Sequence, residues 1–150
     1  MIDSSGLEAW RWFLKAHAFV IAAIERDLER AGHVPLVWYD VLVAISGASD
    51  GRLRLKDLGS ELVLTRSGAT RLADKLEAAH LVERQRSADD RRGVTLTLTE
   101  QGRSALRRAW PVYAKGIRNG FLAKLSSEEV ATLRGALSRV AQLDRPGGEE

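Results

Sequence analysis

The chain has 150 residues, the length of one domain, with 45% hydrophobic and 29% charged residues and a formal net charge of +3. That balance excludes a disordered chain. The absence of cysteine excludes disulfides, thiolate metal sites and thiol redox sensing together. The start, MIDSSGLEAW, carries no basic leader segment, and no apolar run approaches the ~20 residues of a membrane span, so a cytoplasmic location is expected.

The first predicted element places Leu7, Trp10, Leu14, His17, Ile21, Ile24 and Leu28 at alternating spacings of three and four. This is an amphipathic helix that ends before Gly32, with His17 expected in a core. Pro35 suits the first turn of a second helix, PLVWYDVLVAI, and SGASDG follows as a loop. A short third helix carries Leu55, Leu58 and Leu62. A tight connection, VLT, then leads into RSGATRLADKLEAAH, where Ala69, Leu72, Leu76 and Ala79 again step along one face.

The stretch LVERQRSADDRRGVTLTLT changes period. Val94, Leu96 and Leu98 alternate with Thr95, Thr97 and Thr99, the signature of a half-buried strand, so a two-stranded hairpin is expected with a charged tip between Ser87 and Gly93. A lone hairpin is marginal in water and must lean on neighbouring helices. Thr99 caps a long helix carrying Leu106, Trp110, Tyr113, Ile117 and Phe121, which Pro111 is expected to interrupt and kink. SSEE supplies a capping box, Ser126 with Glu129, for a last helix striped by Val130, Leu133, Leu137 and Val140. Between Gln101 and Ser127 there are bases and no acid, which favours a polyanion.

The expected fold is mainly α with a small β-hairpin wing: a winged helix-turn-helix between N- and C-terminal dimerisation helices. Residues 35–100 would form the DNA-binding region, and 5–31 and 101–144 the dimerisation helices. Helix, tight turn, helix is the geometry that lays a second helix in the major groove. The apolar positions of that second helix leave Ser67, Thr70, Arg71 and Asp74 pointing outward, and Arg, Ser and Thr are types that bond bases or phosphates. Thr65, Arg66 and Lys75 complete its candidate contacts. Ser67 and Gly68 lie in its first turn, where free N–H groups attract phosphate. Asp74, which would repel DNA, is expected to pair with Arg71.

An ordinary surface helix would carry the same charges; the adjoining hairpin decides for DNA. Its arginines suit a minor groove: Arg92 would enter the groove, Arg91 would meet phosphate, and Asp89 or Asp90 would brace them. Arg84 and Arg86, two apart on one strand, would add backbone contacts.

The run LRLKDLGSELVLTRSGATRLADKLEAAHLVERQRSADDRRGVTLTLTEQG, Arg52 to Gly102, resembles the core of the MarR family of winged helix-turn-helix regulators. TRLADKLE, LVER and DDRRGVTLTLTEQG carry the resemblance most strongly. It implies an obligate homodimer on a pseudo-palindromic operator, acting as a repressor of a nearby operon and released by a small, frequently phenolic, ligand. Two positions depart from the family pattern. His80 stands where glycine is usual, and Gly59 replaces a common alanine, which should loosen its helix by ~1 kcal/mol.

The first and last helices bear apolar stripes that a partner copy would cover, with Leu7, Trp10, Leu14, Ile117, Phe121, Leu133, Leu137 and Val140 as candidate interface residues. The family's pocket position implicates Trp38, Tyr39, Trp110 and Tyr113 around an aromatic ligand, with Arg11, Lys15 or Arg107 as counter-ions for a carboxylate. Aromatics at helical spacing also serve as core. His17, His33 and His80 follow no metal motif, so neither a metal nor a cofactor is expected. No phosphate loop, HExxH or GxSxG appears, which argues against an enzyme. The alternative to an operator-binding regulator is a winged helix used for protein contacts or for RNA.

Overall fold

The computed structural model describes residues 3–62, 64–86 and 93–142. In chain order these form α1 (Ser4–Arg30), α2 (Leu36–Gly47), a 3-10 turn (Ser49–Gly51), β1 (Arg52–Arg54), α3 (Leu55–Glu61) and α4 (Arg66–Ala78). They continue as β2 (Val82–Arg86), β3 (Val94–Leu98), α5 (Glu100–Gly120), a second 3-10 turn (Leu122–Lys124) and α6 (Ser127–Gln142). No helix among the described residues is long and apolar enough to cross a membrane.

The residues fall into two compact units, Ile24–Ala114 and a second made of Met1–Ala23 with Lys115–Glu150. Within Ile24–Ala114, Val41, Leu42 and Ile45 of α2 meet Leu58 of α3, Leu76 of α4 and Leu96 of β3 in one buried cluster. Leu76 is completely enclosed, a site where truncation to alanine costs ~2–5 kcal/mol. The end of α1 contributes Ile24 and Leu28 to the buried set.

The sheet has three strands in the order β1-β3-β2, not the two expected. β1 pairs antiparallel with β3 through Arg52 with Thr97, Leu53 with Leu96 and Arg54 with Thr95. β2 pairs with β3 from Val82 with Leu98 to Arg86 with Val94. Only Leu53 of the three β1 residues is buried. A single apolar residue between two arginines is too short a run to show a period, so the strand is formed by its distant partner.

Ends and corners are set by specific bonds. After α4, the His80 N–H donates to the Glu77 carbonyl (2.9 Å) and the Leu81 N–H to the Leu76 carbonyl (2.9 Å), the paired bonds of a Schellman termination. His80 accordingly adopts φ 56°. Thr99 joins this corner to α5: its Oγ1 donates to the His80 carbonyl (2.7 Å) or the Leu81 carbonyl (3.1 Å) and accepts from the Gly102 N–H (2.9 Å). Gly102 packs so closely here that a Cβ would overlap the Leu81 carbonyl oxygen. Contrary to the expected interruption, α5 runs through Pro111 without a break.

In the other unit, the capping box at α6 forms as expected. The Ser126 N–H donates to Glu129 Oε2 (2.8 Å) and the Glu129 N–H to Ser126 Oγ (3.2 Å). The Ser126 N–H, then the Ser126 side chain, holds the Glu129 carboxyl below its ordinary range. At the start of α1, Asp3 Oδ1 accepts from the Gly6 N–H (2.6 Å).

Candidate nucleic-acid interface

α3 and α4 meet through a turn whose final residue, Thr65, caps α4: its Oγ1 accepts from the Gly68 N–H at 3.1 Å. The cap uses a donor that the sequence offered to phosphate, so Gly68 is a helix-starting residue and its N–H is engaged within the fold. The inner face of α4 buries Ala69, Leu72, Ala73 and Leu76. Thr65, Ser67, Thr70, Arg71, Asp74 and Lys75 are exposed, and Arg66 opens the helix. A capped helix with hydroxyls and two cations on its outer face has the shape and charge to lie against duplex DNA.

The pairing of Asp74 differs from expectation. Arg84 of β2 donates from Nη2 to Asp74 Oδ1 at 2.5 Å, and its Nη1 lies 3.5 Å from Glu77 Oε2. Arg71 appears in no ion pair among the described residues. The wing thus supplies the cation that the helix was expected to supply to itself, and Arg84 points at α4 rather than outward. Arg86 ends β2 opposite Val94. Asp89, Asp90, Arg91 and Arg92, the tip residues assigned to the minor groove, lie outside the described residues.

A cavity of about 470 Å³ lies between α2 and α5, lined by Tyr39, Val43, Ser46, Gly47, Leu106, Arg107 and Trp110. Three of the candidate ligand residues, Tyr39, Arg107 and Trp110, are therefore in its wall. Tyr113 adjoins it, with its ring centroid 4.7 Å from that of Tyr39 and 6.2 Å from that of Trp110. Burial, then Tyr113 and Asp40, pushes the Tyr39 hydroxyl up to about 12, and burial, then Asp40, also raises Tyr113. Both phenols keep their protons at neutral pH.

Arg107 is not a free counter-ion. Its Nη2 donates to Glu100 Oε1 at 3.0 Å, while Arg103 Nε holds Glu100 Oε2 at 3.0 Å. The Arg107 bond, then that of Arg103, lowers the Glu100 carboxyl. Trp38 is not in this wall. It packs against the core and borders a groove beside Arg71 and Lys75.

The terminal unit has a different character. Leu7, Trp10, Leu14, Leu137 and Val140 of the predicted stripes are exposed, and Ile117, Phe121 and Leu133 are partly buried. His17 is exposed too, stacked on Phe13 at 6.5 Å, and so is not the core residue its stripe suggested. Arg11 is exposed in this unit, and Lys15 Nζ lies 5.0 Å from the centroid of the Trp12 ring. Trp12 and Phe19, 61% and 71% exposed, were missed by a search for one apolar stripe. Their spacing of seven was the available signal.

The profile of the MarR family matches residues 27–93. YkoM of Bacillus subtilis (strain 168), an uncharacterized HTH-type transcriptional regulator, is 33% identical over 115 residues, covering 77% of this chain and 73% of that one. The chain belongs to the MarR family. The transcriptional repressor MprA of Escherichia coli (strain K12) is 33% identical over 110 residues; the match covers 71% of this chain and spans 62% of MprA. Among solved structures, Sco3205, a MarR family transcriptional regulator from Streptomyces coelicolor in complex with DNA, superposes with a TM-score of 0.88 at 26% identity. That match covers 100% of this chain and 96% of Sco3205.

MarR membership places the chain beside transcriptional regulators such as YkoM and Sco3205. It also gives the two departures from the family pattern a structural account. His80 takes up the positive φ that glycine would adopt, which histidine tolerates better than most side chains. Gly59 lies under the turn into α4, where the Leu64 N–H donates to its carbonyl at 2.7 Å and a Cβ would stand 3.0 Å from the Leu64 carbonyl oxygen. The missing methyl therefore eases a tight corner, which offsets its cost in helix propensity.

Proposed function

We propose that this chain is a cytoplasmic, homodimeric, sequence-specific repressor of a nearby operon, released from a pseudo-palindromic operator by a small aromatic ligand. The observation that carries the DNA reading is the capped α4 helix, with Ser67, Arg71 and Lys75 on its exposed face after a short turn. Arg71 would fork onto a base edge, Ser67 and Lys75 would meet the backbone, and the wing tip with Arg91 and Arg92 would reach the adjacent minor groove. The complex of Sco3205 with DNA supports this assignment, and MprA, a repressor, supports the sign of regulation.

The homodimer is supported by the exposed apolar side chains of the terminal helices, which a second copy would cover. A two-fold dimer would place its recognition helices ~34–36 Å apart, or a multiple of that, to match successive turns of the duplex. The cavity beside Tyr39, Arg107 and Trp110 would receive the ligand. With Arg107 already donating to Glu100, a carboxylate it shares with Arg103, a phenol suits the cavity better than a carboxylate that would have to compete for that guanidinium. By linkage, a ligand that weakens DNA binding is itself bound more weakly by the DNA complex, by the same factor.

The test is a titration against a duplex of the chain's own upstream intergenic DNA and a scrambled duplex, at two salt concentrations. Tight binding that prefers the upstream duplex, falls steeply with salt and fits a dimer is expected. Equal, weak, salt-insensitive binding to both would overturn the reading in favour of a winged helix used for protein contacts.

A further inference from the structure

Arg84 of β2 reaches across to the recognition helix, where its Nη2 donates to Asp74 Oδ1 at 2.5 Å and to the Thr70 carbonyl oxygen at 3.4 Å, and its Nη1 forms an ion pair with Glu77 Oε2 at 3.5 Å. Steps of four and three residues put Thr70, Asp74 and Glu77 along one edge of α4, beside the outward-facing Ser67 and Arg71. Of the three charged partners Arg84 is the most enclosed, its side chain 26% exposed against 54% for Asp74 and 44% for Glu77. Its Nε is a buried donor with no partner among the described residues. A guanidinium so enclosed, with both terminal nitrogens engaged, has little left to offer a phosphate.

The carboxylates pose the question. Two acids at the edge of a face that meets a polyanion oppose binding, and each is more damaging the less it is neutralised. Arg84 lies between them and reduces that edge from two negative charges to one. The same bonds tie the wing strand to the helix it accompanies, and a hydrogen-bonded guanidinium is fixed in direction as well as in charge.

We propose that Arg84 is a charge-masking and positioning residue of the DNA-binding surface. It neutralises Asp74 and Glu77 beside the reading face of α4 and fixes β2 against that helix, without itself contacting DNA. The proposal rests on α4 being the DNA-reading helix. It assigns DNA affinity to a residue that touches no DNA, through two others that would oppose it.

The test compares four proteins: the wild type, Arg84→Met, the double variant Asp74→Asn/Glu77→Gln, and the triple variant carrying all three changes. Each is titrated by fluorescence anisotropy against a random-sequence duplex and the upstream duplex at two salt concentrations. Masking predicts that Arg84→Met weakens binding to both duplexes by about tenfold, because like charge then faces the phosphates. It also predicts that the triple variant binds within about twofold of the double, since no carboxylate is left to mask.

If Arg84 meets a phosphate directly, its removal costs as much in the double background as in the wild type. The slope of log affinity on log salt then falls in magnitude by about 0.9 in both. That result overturns the proposal, as does an Arg84→Met protein that binds like the wild type. Should Arg84→Met fail to fold, the comparison of the triple with the double decides alone. If the wild type itself binds neither duplex in a salt-dependent way, the assignment of α4 to DNA fails, and the masking role fails with it.

Discussion

Among the described residues, the fully buried hydrophobic side chains all lie within Ile24–Ala114, from Ile24 to Ala109, while the terminal unit exposes Leu7, Trp10, Trp12, Phe13, Leu14, Phe19, Leu122, Leu137 and Val140. One unit closes a core from its own chain, with helices on both sides of the turn and a sheet against them. The other presents many of its large apolar side chains outward. In the proposed homodimer the difference separates two kinds of stability, one intrinsic to a single chain and one that depends on association and therefore on concentration.

The sharpest way to break that comparison is in the terminal unit. Leu14→Asp places a charge on the stripe and is expected to dissociate the dimer and weaken operator binding by roughly a hundredfold, because two linked half-sites are lost together. Sedimentation and anisotropy on the same sample check it. Unchanged mass with unchanged affinity would exclude this stripe from the interface.

The next effect belongs to the closed unit. Gly102→Ala forces a Cβ into the Leu81 carbonyl oxygen and is expected to cost ~2–4 kcal/mol, read as a lower midpoint in urea. The monomer–dimer equilibrium of the folded protein should stay as it was.

Arg71→Ala touches neither core nor stripe. It should cost ~1–3 kcal/mol on particular operator bases, and equal loss on all sequences would make Arg71 a phosphate contact instead.

The smallest effect concerns Asp40, half-buried on α2, whose carboxyl is raised by burial and then by Glu25. A raised carboxyl favours the folded state fully below the ordinary aspartate value of 3.8, and that advantage is lost as pH rises through the folded pKa. Asp40→Asn should therefore raise the melting temperature at pH 7 by a few degrees at most, and the gain should shrink as pH falls towards 3.8. A gain that is constant with pH would point to packing rather than charge.

The helix-turn-helix was legible because its signals are local. A capping threonine, a stripe at spacings of three and four, and a histidine at a helix end all act within one turn of chain. The third strand was not legible, since β1 exists only by pairing with β3 some forty residues later. Nor was the partner of Asp74. Helical spacing suggested Arg71, three residues away, whereas the bond comes from Arg84, ten residues on and in another element. The cavity wall was half legible: spacing finds aromatics, but which of Trp38 and Trp110 borders the cavity depends on how α2 and α5 pack. Trp12 and Phe19 were overlooked because a globular helix is expected to have one apolar face, and α1 has aromatic residues on two.

The order of the sheet also bears on solubility. VTLTL, the β3 sequence, is uncharged, free of proline and rich in β-branched residues, the kind of segment that stacks into intermolecular sheets when its edges are free. Here both edges are occupied. On one side the guard is only three residues long, Arg52 to Arg54, a short strand flanked by charge of the kind that discourages edge-to-edge aggregation. Detaching it, for instance with Leu53→Pro, would leave one edge of β3 bare, and the first symptom would be turbidity on warming rather than a loss of helix.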